Sequence, residues 1–393
     1  MIPHGEILAL RGEWNLRDDV IEKDYVLGWM LAAIAQQPEL TDTWVFKGGT
    51  CLRKCYYETY RFSEDLDFTV IDGGPEEPEE LLPIFTQVGE RLLEQCGLEV
   101  FVDEKTFVRQ MNRRGNPTTQ GRVAFRGPSN SPSLPKLKID LTSDEAFIGP
   151  RDSRPVLHPY SDAEQMTWEV TAYSLPELLA EKIRALAERC RPRDLYDVVN
   201  VHRHPDLLGD AAPVRAGLEE KCEYVGIDVP TADSVTDSPF KNELEQEWEN
   251  MLGHQLPHLP PVDEFWADLG GVFDWLSGAS LRALPRASTS ADATVDFAWV
   301  PPRAMTTWYH RAPLELIRFA GANRLKVEID YRPVRGRRGP RAVEPLSFRM
   351  TRDGHLLLYL INDRGRLRSY RVDRIAGIRV LDESFVPRHL VEF

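Results

Sequence analysis

Lys47 to Phe68 read KGGTCLRKCYYETYRFSEDLDF, a run that sets a glycine turn, a short helix and a pair of aspartates in one compact unit. The residues just before it, Thr43-Trp44-Val45-Phe46, are β-branched or aromatic and predict a strand. Gly48-Gly49-Thr50 then lets the backbone turn sharply and come close to a ligand, and a helix is expected to follow. Free N–H groups at the start of such a helix suit a phosphate. Asp65-Leu66-Asp67-Phe68 alternates polar and apolar residues, so a strand here puts Leu66 and Phe68 on one face and both carboxylates on the other. Two carboxylates beside a phosphate cradle are what Mg²⁺-dependent phosphoryl chemistry requires. An Asp-x-Asp alone more often marks a solvated strand face, and a lone Gly-Gly-Thr says little. The order strand, Gly-Gly-Thr, helix, Arg-x-Ser-x-Asp-x-Asp is much rarer than either part and points to a site.

A third carboxylate follows from the same alternation. In Pro135-Lys-Leu-Lys-Ile-Asp-Leu-Thr142, Leu137, Ile139 and Leu141 point one way while Lys138 and Asp140 point the other. A strand beside Asp65 and Asp67 would bring Asp140 to one metal cluster. Two Mg²⁺ ions roughly 3.5–4 Å apart would then bridge a triphosphate and an attacking hydroxyl. The competing reading is an exposed strand charge. A second dense cluster runs from Glu181 to Asp197. Lys182 and Arg189 share a helix face, a lysine there can neutralise developing triphosphate charge, and Asp194 and Asp197 can orient it. Ordinary helix-surface ion pairs are the alternative.

The 393 residues exceed one ordinary domain, and 42% hydrophobic content supports packed cores. No apolar run has the length of a membrane span, and no signal-peptide pattern opens the chain, so a soluble, cytoplasmic protein is expected. Five cysteines without a Cys-x-x-Cys predict reduced, mostly buried thiols. The net charge of −14 is uneven: Arg311–Phe393 holds 18 basic and 10 acidic residues, the remainder 30 and 52. A basic tail on an acidic body suggests that the tail meets an anion, or docks on the body itself.

Helices are expected up to about residue 40 and over Leu81–Gly97, strands over Leu98–Val102, Phe107–Met111, Gly121–Phe125 and Leu137–Leu141, with a loop at Arg126–Pro135. Ser174-Leu-Pro-Glu177 predicts a capping box ahead of a helix reaching Arg189. Residues 1–204 form the expected core, 205–278 a helical region, 279–304 a Ser/Ala/Thr/Gly/Pro-rich linker, and 305–393 a small barrel of short strands whose turns include Arg335-Gly-Arg-Arg338. His202-x-His204 and His254-x₃-His258 have metal-like spacing without partners and predict surface or loop histidines.

The pattern FKGGTxLxK…RFSEDLDF, KIDL, then LPELLAEKIRALxxR…RDLYDV resembles the AbiEii/AbiGii nucleotidyltransferase toxins, including the MenT type, over about residues 15–278. The resemblance implies an α+β protein with a polymerase-β-like nucleotidyltransferase core and a helical C-terminal region. Gly49 and Thr50 take the Gly-Ser position of the first motif, with Thr in place of the common Ser. Asp65 and Asp67 become the metal-binding pair joined by Asp140, and Lys182 and Asp194 the later catalytic Lys and Asp. Lys47, Gly48, Gly49, Thr50, Arg61 and Ser63 become nucleotide-facing residues. It further implies two Mg²⁺ ions, an NTP donor, an RNA acceptor with the tRNA 3′ end foremost, and a cognate antitoxin in a toxin–antitoxin or phage-defence setting. Transfer to a protein or small molecule, and a non-catalytic nucleotide sensor, are the alternatives. LELIRFAGANRLKVEIDYR…YLINDRGRLRSYRVDRIAGIRV resembles a WYL domain, a small SH3/Sm-like β-barrel that binds nucleic acid or nucleotide-like ligands. Its signature triplet is Leu358-Tyr359-Leu360, and the resemblance makes Tyr359, Arg371 and Arg374 its ligand-binding residues.

Overall fold

A mixed sheet carries the aspartate strands. The computed structural model describes residues 1–393 except 59, 113, 205–207, 281–282, 300, 302–312 and 335–338, so the Arg335–Arg338 turn lies outside the described residues. Three helices open the chain: α1 (His4–Trp14), α2 (Asp18–Ala35) and α3 (Pro38–Thr41). α2 is buried on nearly every side from Val20 to Ile34, which explains its apolar character all round.

The sheet runs in the order β3 (Glu99–Phe101), β5 (Pro117–Arg126), β6 (Lys136–Thr142), β2 (Asp65–Val70), β1 (Trp44–Lys47), β8 (Glu169–Tyr173), β7 (Arg151–Pro155), with β4 (Phe107–Met111) also pairing with β5. β2 lies antiparallel to β1 and parallel to β6, while β5 lies antiparallel to β6. Leu66, Phe68, Leu137, Ile139 and Leu141 face the core, so the intervening polar residues share the opposite face. α5 (Pro78–Cys96) covers the core side through Leu81, Phe85, Val88 and Leu92.

α6 (Leu175–Arg189) and α7 (Pro192–His202) follow the sheet, then α8 (Ala211–Val225), α9 (Ala232–Thr236), α10 (Lys241–Leu252) and α11 (Val262–Leu276). Ser174 caps α6 by accepting from Glu177 N, but the expected return arm of the capping box is absent. The Glu177 carboxylate instead accepts from Ile148 N at 2.9 Å and Gly149 N at 3.0 Å, and pairs with buried Lys221 at 3.1 Å. Satisfying buried backbone donors outweighs a local cap that water could replace.

The C-terminal unit comprises α12 (Leu314–Ala322) and a five-stranded antiparallel sheet in the order β12 (Leu367–Arg371), β11 (Leu356–Ile361), β10 (Gly339–Met350), β9 (Leu325–Tyr331), β13 (Ile375–Ser384). Its apolar residues join the main core. Tyr196 Oη donates to Asn323 Oδ1 at 2.9 Å, and Arg318 reaches Glu58 at 2.9 Å. The Ser/Ala/Thr-rich segment read as a linker lies against this sheet. Ala287 and Val295 pack with Leu346, Leu357, Tyr359, Ile361 and Phe385 in a second small cluster, and Val295 bridges Thr351. Small side chains there serve close packing rather than flexibility. All five cysteines are free and buried, and no helix among the described residues is long and apolar enough to cross a membrane.

Candidate active site

Strand pairing builds the site in two rows across one polar face. Lys47, Asp67, Asp140 and Gln120 lie in register across β1, β2, β6 and β5, and Asp65, Lys138 and Arg122 form the neighbouring row. The three expected carboxylates thus occupy adjacent strands. Lys138 Nζ binds Asp140 Oδ2, and Gln120 Nε2 donates to Asp140 Oδ1 at 3.0 Å. Among the described residues no three acidic or other metal-ligating side chains enclose an ion-sized space as they stand.

Gly48 fixes the turn over Asp67. Its φ is +79°, and a Cβ there would lie 2.2 Å from Asp67 Oδ2, so only glycine allows this approach. The expected helix is a single turn, Gly48–Cys51, continuing into a π-type turn over Leu52–Tyr56. Burial first, then Asp140 and Asp65, push the Asp67 carboxyl up to about 6 against the opposing pull of Lys47 and Lys182. Burial likewise raises Asp65. Burial is the first cause at both aspartates, and a cation bound between them would offset it.

Lys182 and the α7 aspartates form the wall. Lys182 Nζ lies 2.8 Å from Asp197 Oδ2 and 3.3 Å from Asp194 Oδ1, and both carboxylates are fully buried. Arg189 also clasps Asp194, at 2.7 and 2.9 Å. Burial alone would raise Asp197, but Arg61 and Lys182 hold it well below the usual carboxylate range.

Several expected roles change. Arg61, expected to face the nucleotide, is 2% exposed and donates to both oxygens of Asp197 at 2.7 Å and to Gln255 Oε1 at 3.0 Å. Its guanidinium lies beneath Gly49, where a Cβ would come within 2.3 Å. It anchors Asp197 and supports the turn from below. Thr50 is fully buried and its hydroxyl donates to the Asp65 carbonyl, which ties the turn to β2 and takes the hydroxyl out of the open face. Lys47 is paired with Glu145, which also accepts from Thr69 Oγ1 at 3.1 Å. Ser63 is half-buried just ahead of Glu64.

Sequence reading gave no role to Lys138, Gln120 or Glu145. Lys138 was legible on the polar side of the KIDL alternation. Gln120 and Glu145 carry no local signal, because their partners lie in other strands. The four histidines are half-buried; His204 and His258 lie in loops as expected, while His202 ends α7 and His254 sits in a short 3-10 turn. His204 Nδ1 bonds Asn200 O at 2.7 Å, and burial lowers its pKa to about 4, whereas His254 and His258 pair with Glu64 and Asp382.

In the C-terminal sheet Tyr359 is fully buried, contrary to its expected place at a ligand. Its hydroxyl donates to Asp292 Oδ1 at 2.5 Å from the former linker, and Arg349 lies 4.5 Å from its ring centroid. Arg371 binds Asp373 through Nε at 3.0 Å, and Arg374 is half-buried in the turn after β12.

Carboxylate rows beside a glycine turn, faced by a buried lysine, define a nucleotidyltransferase-like centre. The sequence model of the nucleotidyltransferase AbiEii toxins of type IV toxin–antitoxin systems matches residues 29–269, and the chain belongs to that family. A WYL domain matches residues 313–380. Among solved structures the chain is similar to MenT4, a nucleotidyltransferase toxin of Mycobacterium tuberculosis, at 20% identity over 71% of this chain and 91% of that one, with a TM-score of 0.47. It is also similar to the proteasome accessory factor B/C of Arthrobacter aurescens, at 21% identity over 55% of this chain and 32% of that one, with a TM-score of 0.18. No curated protein matches the sequence.

Proposed function

We propose that the protein is a Mg²⁺-dependent toxin that transfers a nucleoside monophosphate from an NTP to the 3′ end of an RNA, with tRNA the favoured acceptor. The observation that carries this reading is the register of Asp65, Asp67 and Asp140 on adjacent strands beneath the Gly48 turn. The fit for Mg²⁺ rests on hard carboxylate oxygens and on the raised proton affinity of Asp67. Asp65 and Asp67 would hold the metal first, with Asp140 joining once Lys138 yields its oxygen. When bound, Mg²⁺ supplies charge neutralisation at the triphosphate and lowers the pKa of the attacking hydroxyl.

The chain's own groups do the rest. Backbone N–H groups of the Gly48-Gly49 turn and the ammonium group of Lys182, joined by Lys47 once it leaves Glu145, receive the triphosphate, where charge spreads over the phosphoryl oxygens during transfer. Arg61, Asp197 and Asp194 keep Lys182 in place, so little reorganisation is left for the reaction itself. The expected setting is the cytoplasm, with a cognate antitoxin restraining the toxin and the WYL unit binding a nucleic acid or nucleotide ligand.

Each α-³²P NTP is incubated with protein, Mg²⁺ and total bacterial RNA. Label on RNA that disappears with Asp65→Ala or with EDTA supports the reading. Label on protein or on small molecules moves the acceptor to those classes. Wild-type turnover in Asp65→Ala excludes the carboxylate rows from the chemistry.

A further inference from the structure

The carboxylate rows are asymmetric. On the β1 side stand Gly48, Gly49, Lys47 and, from α6, Lys182. On the β5–β6 side stand Lys138, Arg122 and, one row further along β6, Lys136. Arg122 and Lys136 are exposed, and neither forms an ion pair with a described residue; Arg122 Nε only donates to Gln120 Oε1 at 3.2 Å. Lys136 and Lys138 alternate on one strand, so they stand about 6.7 Å apart along it. That separation is comparable to successive phosphates of an extended polynucleotide.

Beyond Lys136 the face opens into a cleft of about 790 Å³, walled by α2 on one side and the Ser129–Pro135 loop on the other. Its acids are already engaged. Glu22 accepts from Ser129 N at 2.7 Å, Glu64 pairs with Lys23 at 2.8 Å and His254 at 3.1 Å, Asp19 pairs with Arg17, and Asp18 accepts from Asp19 N at 3.2 Å. The cleft wall carries Arg17 and Lys23 against Asp18, Asp19, Glu22 and Glu64, so phosphates are held on the cationic track leading into it rather than in the cleft itself.

Phosphoryl displacement is in line: the attacking oxygen enters opposite the leaving pyrophosphate. With the triphosphate held on the β1 side, the acceptor hydroxyl must arrive from the β5–β6 side. Resting on the nucleotidyl-transfer reading above, we propose that Lys138, Arg122 and Lys136 form the acceptor track, and that the adjoining cleft receives the terminal nucleotides of a single-stranded RNA end. The track's cations hold its phosphates, and the cleft admits its uncharged bases. The incoming strand phosphate also offers Lys138 a partner other than Asp140, which frees that carboxylate for the metal. Acceptor binding and completion of the three-carboxylate set are coupled in this way.

The test uses full-length protein with Arg122→Glu/Lys136→Glu, and with Arg122→Gln/Lys136→Gln as a milder pair that keeps the exposed surface neutral. A fluorescein-labelled single-stranded RNA is titrated by anisotropy over a salt series, and a fluorescent NTP analogue is titrated separately. The expected result is RNA affinity weakened about tenfold or more, and a log K against log salt slope shallower by about 1.4, which is two phosphate contacts at about 0.7 each. NTP affinity stays unchanged. Unchanged RNA affinity and slope in both pairs overturn the track, whether or not the wild type labels RNA. RNA binding lost in the variants while the wild type labels no RNA keeps the track and overturns the transfer reading instead.

Discussion

Asp67→Asn separates what the carboxylate does for chemistry from what it costs the fold. The Asp67 carboxyl is pushed from 3.8 up to about 6, first by burial and then by Asp140 and Asp65. The folded protein therefore holds this proton more tightly than the unfolded chain does. The group favours folding fully only below the unfolded pKa, and that contribution is lost as pH rises through 6. At about 1.36 kcal/mol per tenfold in proton affinity, ionised Asp67 destabilises the metal-free fold by about 3 kcal/mol at pH 7.5 and by about 1 kcal/mol at pH 4.5. Both figures are ceilings, because the side chain is only partly shielded from water. Asparagine keeps the shape and removes the charge. Metal-free Asp67→Asn is expected to gain about 1–3 kcal/mol in urea unfolding at pH 7.5, to lose most of that gain at pH 4.5, and to transfer no nucleotide. A variant less stable than wild type at pH 7.5, or a difference that does not move with pH, would refute the claim that burial and the neighbouring carboxylates make ionised Asp67 costly to the metal-free fold.

Gly48→Ala would drive a Cβ to 2.2 Å from Asp67 Oδ2 at φ +79°, so transfer is expected to fall about 100-fold or more, read as kcat against KM. Gly73→Ala, at φ +70° in open space, meets the same backbone strain of about 1 kcal/mol and keeps full activity, which isolates the contact from the conformation. Arg61→Ala removes the bidentate partner of the buried Asp197 carboxylate, leaving it Lys182 at 2.8 Å and the Tyr60 hydroxyl at 3.0 Å, and is expected to cost about 3 kcal/mol in denaturant unfolding; a loss confined to NTP affinity would restore Arg61 to the nucleotide. Tyr359→Phe removes one hydrogen bond to Asp292 and is expected to cost about 1 kcal/mol. Hydrogen exchange around residues 289–295 should quicken, and unchanged protection there would detach the segment from the sheet.

The sequence determined the parts that are local. Alternation in DLDF and KIDL assigned both strands and their polar faces, because a pleated strand has a period of two whatever its neighbours are. The glycines marked the turn, and the apolar stripe of α6 left Lys182 off the core. Which strands lie side by side was decided only by tertiary packing. Asp67 meets Asp140 through a parallel pairing of strands some 70 residues apart in sequence, and no property of either segment names its partner. Arg61 reads as a phosphate ligand in its motif, yet it is taken by Asp197 across 136 positions, because a buried carboxylate demands a bidentate cation more strongly than an open cleft does. The segment around Ala287–Val295 carries linker composition, and it becomes structure only because the C-terminal sheet offers an apolar face and the Tyr359 hydroxyl to cover. Composition sets what a segment can do alone; burial against a distant surface set what these segments became.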